Sequence, residues 1–309
     1  MNNAELERIL KSRFVPEESN VFPKTVLIDN SNYCNLRCSM CGHSNMRRRK
    51  GIMDIGLYKK IIDEIAEKSP GTRVWQILYG EPFSLKDMDE RIKYAKDKGL
   101  TDVVLNSNGL LINDENARKI VQAGLDYLYV GIDSISEEIY SKLRVGGKLD
   151  TAVNGVLSYQ NALKKYGSEN QKLFVQFVEM DINAHEVNGF IDFWNDKGIN
   201  VKIRPMVSWA GKIDNPIIKQ KISRLPCKWV LSDLSITIDG DVIGCTCDLD
   251  CERPVGNVAG SSISEIWNGP LKKIRALHLE GRWDELDLVC QKCLDWQSGY
   301  SEYLLPEED

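Results

Sequence analysis

The stretch TVLIDNSNYCNLRCSMC, residues 25–41, joins a short apolar run to three closely spaced cysteines. The apolar run at its start is rich in β-forming side chains, which is typical of a buried strand. Cys34, Cys38 and Cys41 follow in the spacing C-x3-C-x2-C. A strand that leads into a cysteine loop places those thiols at the carboxyl end of a sheet, where α/β proteins bind ligands.

This strand begins a regular alternation of apolar runs and helical periods. Gly99, Gly124 and Gly198 each stand just before a strand-like run, as glycines that end helices do. Six strands alternating with helices predict a parallel sheet, open or closed into a barrel. The five runs after the first lie at residues 74–79, 102–106, 127–133, 173–180 and 201–205.

The alternation breaks after about residue 206, where the cysteines return. An Asp239-Gly240 pair between two apolar runs predicts a hairpin. Most of the nine cysteines lie from residue 227 onward. We therefore predict three regions, namely an N-terminal helix and linker over residues 1–24, a barrel core over 25–225 and a smaller domain over 226–309.

Composition limits the classes of protein that fit. The chain has 309 residues, of which 42% are hydrophobic and 28% charged, so a sizeable core can form and a disordered chain, collagen or a coiled coil is excluded. A net charge of −5 argues against a nucleic-acid partner. No signal-peptide core and no long apolar run is visible, so we expect a cytoplasmic protein without a membrane partner. Clustered cysteines in such a protein indicate metal binding or redox chemistry rather than disulfides.

The first three cysteines fit one kind of metal site best. Three thiolates within eight residues can hold one face of an iron–sulfur cluster. A 4Fe–4S cluster normally takes four cysteines, so three nearby ligands leave one iron open to a small molecule. A structural zinc site is the alternative, although zinc usually takes paired C-x2-C knuckles and four ligands.

The cysteine loop after the first strand resembles that of radical S-adenosylmethionine (SAM) enzymes. In that superfamily the open iron binds SAM, and one electron cleaves SAM to a radical that takes a hydrogen atom from the substrate. The resemblance implies a partial (β/α)6 TIM-type barrel and a flavodoxin- or ferredoxin-type electron donor. The basic run at residues 46–50 could help that donor to dock, or be an ordinary solvated loop. Met40 stands where the family usually has an aromatic residue.

The end of the second strand resembles the GGEP-type motif of the family. Tyr79 replaces its first glycine, and Gly80, Glu81 and Pro82 match the rest. The resemblance implies that Glu81 holds the SAM ammonium and that Gly80 lets the backbone come close. An ordinary turn at the end of a strand is the alternative.

Three weaker matches lie at later strand ends. Asn108 belongs to a segment that resembles the family's TNG motif. Asp133 and Ser134 belong to one that resembles its SIDG motif, near the SAM ribose. Arg144 resembles an arginine that pairs with the SAM carboxylate, a bidentate role that suits a guanidinium. Each of these residues could instead be a structural cap or a surface charge.

Four C-terminal cysteines resemble the SPASM/twitch pattern. Cys227 and Cys245 fit its opening around Gly240, and Cys290 and Cys293 form a C-x2-C knuckle. No cysteine follows Cys293, so the chain resembles the shorter twitch form, which has one auxiliary 4Fe–4S cluster. Four ligands would close that cluster. Zinc at the same thiols is the main alternative.

Cys247 and Cys251 belong to neither of these two cysteine patterns. They could be plain loop thiols, or one could be an alternative cluster ligand. One of them could also donate a hydrogen atom to a substrate radical, as a cysteine does in radical SAM epimerases. Asp248 lies beside them and could bind a hydroxyl or an amine, or act as a base.

The resemblance covers residues from about 25 to 296. It implies an enzyme that oxidises or epimerises a carbinol carbon of a sugar, cyclitol or glycan, similar to 2-deoxy-scyllo-inosamine dehydrogenase and aminoglycoside epimerases. About 24 residues precede the barrel, too few for the leader-binding domain of many peptide enzymes, which favours a small substrate. A maturase of ribosomal peptides and a zinc-stabilised binding protein without chemistry stay open.

Overall fold

The computed structural model describes residues 21–214 and 224–300. Most of the helix and linker predicted over residues 1–24 therefore lies outside the described residues. Among these residues, nine strands form one sheet, and their bounds are as follows. They are β1 Thr25–Ile28, β2 Arg73–Trp75, β3 Val103–Ser107, β4 Tyr127–Gly131, β5 Lys172–Glu179, β6 Asn200–Pro205, β7 Asp233–Ile236, β8 Asp241–Ile243 and β9 Pro254–Asn257.

Helices follow most of the strands. Those of the described ranges are α1 Ile55–Lys68, α2 Met88–Asp97, α3 Asp114–Gln122, α4 Glu137–Leu143, α5 Leu149–Tyr166, α6 Val187–Asn195, α7 Lys228–Ser232, α8 Ile263–Asn268, α9 Pro270–Leu279 and α10 Leu288–Lys292. Within these ranges, no helix is long and apolar enough to cross a membrane.

Strands β1 to β6 are parallel and lie in chain order, which makes a partial (β/α)6 barrel. The predicted strands are all present. Gly99, Gly124 and Gly198 have φ of +90°, +90° and +67°, so they end helices as predicted. Strand β2 is shorter than the predicted run 74–79, because the chain leaves the strand where Asn30 Nδ2 binds the carbonyl of Gln76 at 2.8 Å.

The C-terminal strands extend the same sheet. Strand β7 pairs in parallel with β1, with Thr25 opposite Asp233 and Ile28 opposite Ile236. Strand β8 returns antiparallel to β7 around Gly240, which has a φ of +84°, so the predicted hairpin is present. The predicted boundary at residue 226 is therefore not a break in the sheet.

Helix α1 shows how local sequence builds the core. The side chain of Asp54 caps its first turn by accepting from Gly56 N and Leu57 N. Its buried side chains recur at helical spacing and pack on the sheet, and full burial of an isoleucine of this kind contributes about 1.5–3 kcal/mol. These side chains are Tyr58, Ile61, Ile62 and Ile65.

Candidate active site

The three predicted cluster cysteines lie on one loop at the carboxyl end of β1. Cys34, Cys38 and Cys41 are free thiols. The loop docks on the end of α4, where Ser39 N donates to Leu143 O at 2.9 Å. Burial raises the pKa of all three thiols, and that of Cys34 to about 11. Such thiols bind metal as thiolates, since a bound cation displaces the proton.

Glu81 lies buried at the mouth of the barrel and is 1% exposed. Its Oε2 accepts from Asn108 N at 2.7 Å, and its Oε1 accepts from Ser107 Oγ at 2.8 Å. Burial raises the pKa of Glu81 to about 7, so a cation beside it would favour the carboxylate. A Cβ on Gly80 would lie 2.1 Å from Ser31 O, which explains why glycine precedes Glu81.

Two neighbours tie Glu81 to the cysteine loop. Asn108 Nδ2 donates to Asn35 Oδ1 at 2.8 Å, next to Cys34. Pro82 begins a short 3-10 turn that the side chain of Glu81 caps. The structure thus brings the GGEP-like segment, the segment around Asn108 and the first cysteine into one site.

Asp133 and Arg144 form a buried ion pair in the same site. Asp133 has a φ of +64°, and its Oδ2 accepts from Arg144 Nε at 2.7 Å. Its Oδ1 accepts from Val178 N at 2.7 Å. Arg144 Nη1 lies 3.8 Å from Cys38 Sγ. A Cβ on Gly131 would lie 2.2 Å from Arg144 Nη2, so this glycine makes room for the guanidinium.

Ser134 holds the turn after β4. Its Oγ donates to Glu186 Oε2 at 2.6 Å, and Ile135 N donates to the same oxygen at 3.0 Å. Burial raises the pKa of Glu186, but hydrogen bonds from Ser134 and Ser136 outweigh it and the pKa is lowered. A contact between Ser134 and SAM stays a prediction.

Arg204, at the end of β6, was not singled out by the sequence analysis. Its Nε is buried and has no hydrogen-bond partner among the described residues. Burial lowers the pKa of Arg204, on which the charges of Asp133, Arg144 and Cys41 also act. A buried guanidinium nitrogen without an acceptor costs free energy, so Arg204 is a candidate to bind an anionic group. The position of Arg204 near the end of the predicted strand run 201–205 is the sequence signal that could have indicated this role.

A cleft of about 410 Å³ opens beside the cysteine loop. Its wall is apolar and rich in methionine, and its rim is charged. The wall includes Met40, Leu143, Met180 and Met206, and the rim includes Lys142, Asp181 and Asp214. Met40 belongs to the cysteine loop and also lines the cleft. Methionine is unbranched and flexible, so it packs well against irregular apolar surfaces.

A second cavity, of about 360 Å³, collects the C-terminal cysteines. Cys227 precedes α7, Cys245 and Cys247 follow β8, and Cys290 and Cys293 lie at the end of the chain's last α-helix in the described ranges. All five line this cavity, which we call the C-terminal cavity. The structure thus brings together the four predicted cluster ligands and adds Cys247.

His278 is buried between two of these cysteines and was missed by the sequence analysis. Its Nδ1 accepts from Cys227 N at 3.2 Å, which assigns the ring hydrogen to Nε2, 3.4 Å from Cys290 Sγ. Burial lowers the pKa of His278 to about 4, so the ring is neutral. Arg224 Nη2 lies 3.6 Å from the same sulfur. Donors to cluster sulfurs tune iron–sulfur sites, but no local sequence pattern marks this histidine.

Cys251 does not line the C-terminal cavity among the described residues. It packs instead with Met46 and Tyr79 at the junction with the barrel, and burial raises its pKa to about 11. Asp248 lines the cavity, and its carboxylate accepts from Glu252 N at 3.1 Å. The two leftover cysteines therefore belong to different surroundings.

The basic run joins the cysteine loop to the C-terminal half. Arg48 Nη2 pairs with the fully buried Asp29 at 2.5 Å, and Arg48 Nε donates to Leu249 O at 2.9 Å. Arg47 Nε pairs with Asp250 at 3.0 Å. The Arg48 side chain is 10% exposed and that of Arg47 is 76% exposed, so Arg47 is a solvated charge and Arg48 is not.

The C-terminal cavity has room for a cluster of several atoms. Five thiols line it, one more than the four ligands that a structural zinc ion takes. The volume of about 360 Å³ exceeds several-fold the ~30 Å³ of one water, so a group of several atoms fits among the five thiols.

The matches to protein families agree with this arrangement. Residues 31–170 match the radical SAM superfamily. Residues 227–294 match the SPASM iron–sulfur cluster-binding domain. The chain carries a radical SAM domain followed by a SPASM domain. These domains indicate SAM and two iron–sulfur clusters as its cofactors, which confirms the predicted cofactors and favours the enzyme over the zinc-stabilised binding protein.

Curated relatives share part of this radical SAM chain. The probable GTP 3′,8-cyclase of Methanocaldococcus jannaschii is 30% identical over 184 residues. The match covers 58% of each chain, so the radical SAM enzyme described here spans little more than half of that relative.

Two solved structures share the fold over most of the chain. BtrN, in complex with AdoMet and 2-DOIA, has a TM-score of 0.61 at 18% identity and covers 87% of this chain and 92% of its own. Streptococcus suis SuiB, bound to the precursor peptide SuiA, has a TM-score of 0.68 at 15% identity and covers 88% and 70%. Both confirm the partial barrel with its C-terminal extension.

Proposed function

We propose that this radical SAM enzyme oxidises a carbinol carbon of a sugar, cyclitol or glycan to a ketone. The observation that carries the proposal is the C-terminal cavity, since four predicted ligands surround it and would close an auxiliary cluster. A closed cluster suits electron transfer, because it has no open iron for a substrate. It would take the remaining electron from the substrate radical while the hydroxyl proton passes to solvent. When bound, SAM and its cluster supply the radical that takes the substrate hydrogen atom.

In this proposal the two sets of cysteines have separate roles. Cys34, Cys38 and Cys41 hold the cluster that binds SAM. The closed cluster is held by four thiols from three segments, and His278 donates to one of its sulfurs. Those four are Cys227, Cys245, Cys290 and Cys293.

The SAM site is proposed at the mouth of the barrel. Glu81 binds the SAM ammonium, which would keep the buried carboxyl ionised. Asp133 already pairs with Arg144 through two guanidinium nitrogens, so Arg144 is oriented but only partly free to bind an anion. Arg204 adds a second guanidinium for the SAM carboxylate or for an anionic substrate group. The remaining proposed contacts come from Gly80, Pro82, Asn108 and Ser134.

The methionine-walled cleft is the proposed substrate site. Its apolar wall suits the C–H face of a ring, and the carboxylates of Asp181 and Asp214 suit hydroxyl or ammonium groups at the rim. The likeness to BtrN, which was solved with 2-DOIA, supports a cyclitol-like substrate. The likeness to a GTP cyclase supports trying nucleotides and nucleotide sugars as well.

The positions of the leftover thiols favour oxidation over epimerisation. A hydrogen-atom donor must reach the substrate carbon. Cys247 lines the C-terminal cavity and Cys251 packs at the domain junction, and neither is among the described residues that line the methionine-walled cleft. Asp248 lines the C-terminal cavity, and its carboxylate oxygens accept from Glu252 N and Arg253 N. A catalytic role of these three residues stays a prediction.

The class is tested by anaerobic purification. Two 4Fe–4S clusters require about eight irons per chain. With dithionite and SAM the enzyme should release 5′-deoxyadenosine. Zinc in place of iron, together with no 5′-deoxyadenosine, would overturn the enzyme proposal.

The reaction is tested with a panel of cyclitols, aminocyclitols, nucleotide sugars and GTP. Oxidation gives a product two hydrogens lighter, whereas epimerisation gives equal mass and, in deuterated water, deuterium at one carbon. The double variant Cys247→Ala, Cys251→Ala should still form the ketone. Loss of product with retained 5′-deoxyadenosine in this variant, at unchanged iron content, would favour epimerisation.

A peptide substrate is the second candidate. The likeness to SuiB bound to its precursor peptide, with the higher TM-score of the two structures, favours it. Modification of a short precursor peptide, and no reaction with the small-molecule panel, would establish this alternative.

A further inference from the structure

The turn Ser208–Gly211 lies between the two cysteine sites and has an unusual backbone. Trp209 and Ala210 have φ of +54° and +56°. Two successive residues with side chains in the left-handed region are strained, at a cost on the order of 1–3 kcal/mol each. Such a backbone persists only where its surroundings hold it in place.

Asp295 holds this turn. It is fully buried, its Oδ1 accepts from Ser208 N at 2.6 Å, and its Oδ2 accepts from Ala210 N at 2.7 Å. Both carboxylate oxygens of Asp295 thus accept hydrogen bonds from the backbone amides of the residues on either side of Trp209. Loss of Asp295 would leave these amides without their acceptor and the strained turn without its main support.

Asp295 is also fixed to the C-terminal cavity. Its backbone N donates to Cys293 Sγ at 3.3 Å, and its Oδ2 lies 3.7 Å from Cys247 Sγ. Asp295 and Ala210 both line the cavity. Asp295 therefore links the turn directly to this cysteine site.

Trp209 reaches the first cysteine loop on the other side. Its Nε1 donates to Met40 O at 2.9 Å. A Cβ on Gly42 would lie 3.0 Å from Trp209 Cδ2, so the ring lies directly against that backbone. Met40 and Gly42 are the two neighbours of Cys41 in the chain. Trp209 thus contacts the backbone on both sides of one proposed ligand of the SAM-binding cluster.

We propose that Trp209 is a positioning residue for Cys41 and that Asp295 couples it to the C-terminal cysteine site. Assembly of the C-terminal site fixes Asp295, Asp295 fixes the turn, and the turn fixes the cysteine loop through Trp209. The inference rests on the proposed function, because it takes both sets of cysteines as cluster ligands. It adds that the auxiliary site sets the geometry of the SAM-binding site as well as taking up an electron.

The test is a double-mutant cycle with two readouts that do not depend on turnover. Trp209→Phe keeps an aromatic ring at this position and removes the hydrogen bond to Met40 O. Cys290→Ala with Cys293→Ala disrupts the C-terminal site, and Trp75→Phe is the control because Trp75 stacks on Tyr129 away from either cavity. The readouts are amide hydrogen exchange over residues 38–46 and the midpoint potential of the SAM-binding cluster.

We expect Trp209→Phe and the cysteine variant each to speed exchange over residues 38–46 about five-fold, as loss of one net hydrogen bond would. Each should shift the midpoint potential in the same direction, and their combination should add nothing further. Asp295→Asn should reproduce the exchange effect in protein loaded with both clusters, because the amide nitrogen of asparagine cannot accept from Ala210 N. Unchanged exchange and potential in Trp209→Phe, or fully additive effects, would overturn the inference. Absence of iron from wild-type protein would instead overturn the proposed function.

Discussion

The two cysteine sites are built in opposite ways. The first takes three thiols from eight consecutive residues of one loop, next to a strand that pairs on both sides. The C-terminal cavity takes five thiols from three segments that are far apart in the chain. The first site is therefore nearly complete once its loop is docked, whereas the second exists only after the C-terminal half has packed.

Because of this difference, the two sites depend on different kinds of contact. The first site depends on close backbone approach, as at Gly80 and Gly131, and on a few buried charges. The second depends on side chains that hold separate segments together, such as His278 and Asp295. Variants at each site test whether the two sites differ in this way.

The largest expected effect separates the two sites by chemistry. Cys34→Ala should abolish 5′-deoxyadenosine formation, because it removes a ligand of the SAM-binding cluster. Cys290→Ala should keep 5′-deoxyadenosine formation, at a rate changed only by the looser hold on the Cys41 loop, and lose the oxidised product. Iron content should fall from about eight to about four per chain in each variant. Loss of 5′-deoxyadenosine in both, with that iron content, would mean that the sites do not work separately.

The next effect concerns the contact that joins the sites. Arg48→Ala would leave Asp29 buried without its cation, and breaking such a pair from one side costs about 3–5 kcal/mol of unfolding free energy. Urea unfolding measures this loss. The exposed Arg47→Ala is the matched control and should leave the midpoint unchanged.

The loss of stability in Arg48→Ala should depend on pH, in a direction that follows from the pKa of Asp29. Burial raises the pKa of Asp29 from 3.8 to about 6 even with Arg48 present. Between about pH 4 and pH 6, Asp29 therefore holds a proton in the folded state that it lacks in the unfolded state. The contribution of Asp29 to the free energy of unfolding falls as the pH rises from about 4 to about 6. Loss of Arg48 raises that pKa further. The deficit of Arg48→Ala should therefore be larger at pH 8 than at pH 5, and equal deficits would contradict this account.

A smaller effect is expected in the C-terminal cavity. His278→Ala removes the acceptor of Cys227 N and a donor to Cys290 Sγ, which should cost about 1–3 kcal/mol in metal-free protein. The midpoint potential of the auxiliary cluster should also fall, because donors to sulfur stabilise the reduced state. The exposed His185→Ala is the control. An unchanged potential would show that His278 only packs.

The smallest effect is expected at the rim of the methionine-walled cleft. Asp181→Asn should raise the KM for the substrate by about ten-fold at most, since the side chain is exposed. Stability and substrate-free 5′-deoxyadenosine formation should not change. Asp150→Asn, on α5, is the control. An unchanged KM would remove Asp181 from the substrate site.

The sequence predicts the local parts of this structure well. The strands, the helix-ending glycines and the hairpin at Gly240 follow from short-range patterns, and so does the place of the first cysteine loop. The close approach at Gly80 and the burial of Glu81 are present where the motif predicts them. Each of these features is decided within about ten residues of chain.

The parts that could not be predicted are contacts between distant segments. Arg48 binds the carbonyl of a residue 201 positions away, and Asp295 binds Ser208 across 87 positions. No periodicity or spacing records such a pairing. The sequence also leaves Cys247 and Cys251 equivalent, and only packing places one in the C-terminal cavity and the other at the junction.

The pairing of β1 with β7 has a consequence for the order in which the chain is made. Ile28 pairs with Ile236, so one edge of β1 has no partner until the ribosome has added some two hundred residues. At about 5–20 residues per second this takes about 10–40 s. During that time the first three thiols sit beside an uncovered strand, before any C-terminal thiol can help to shield them. Nascent chains of this protein should therefore be most sensitive to oxygen, and to premature strand pairing, in this interval.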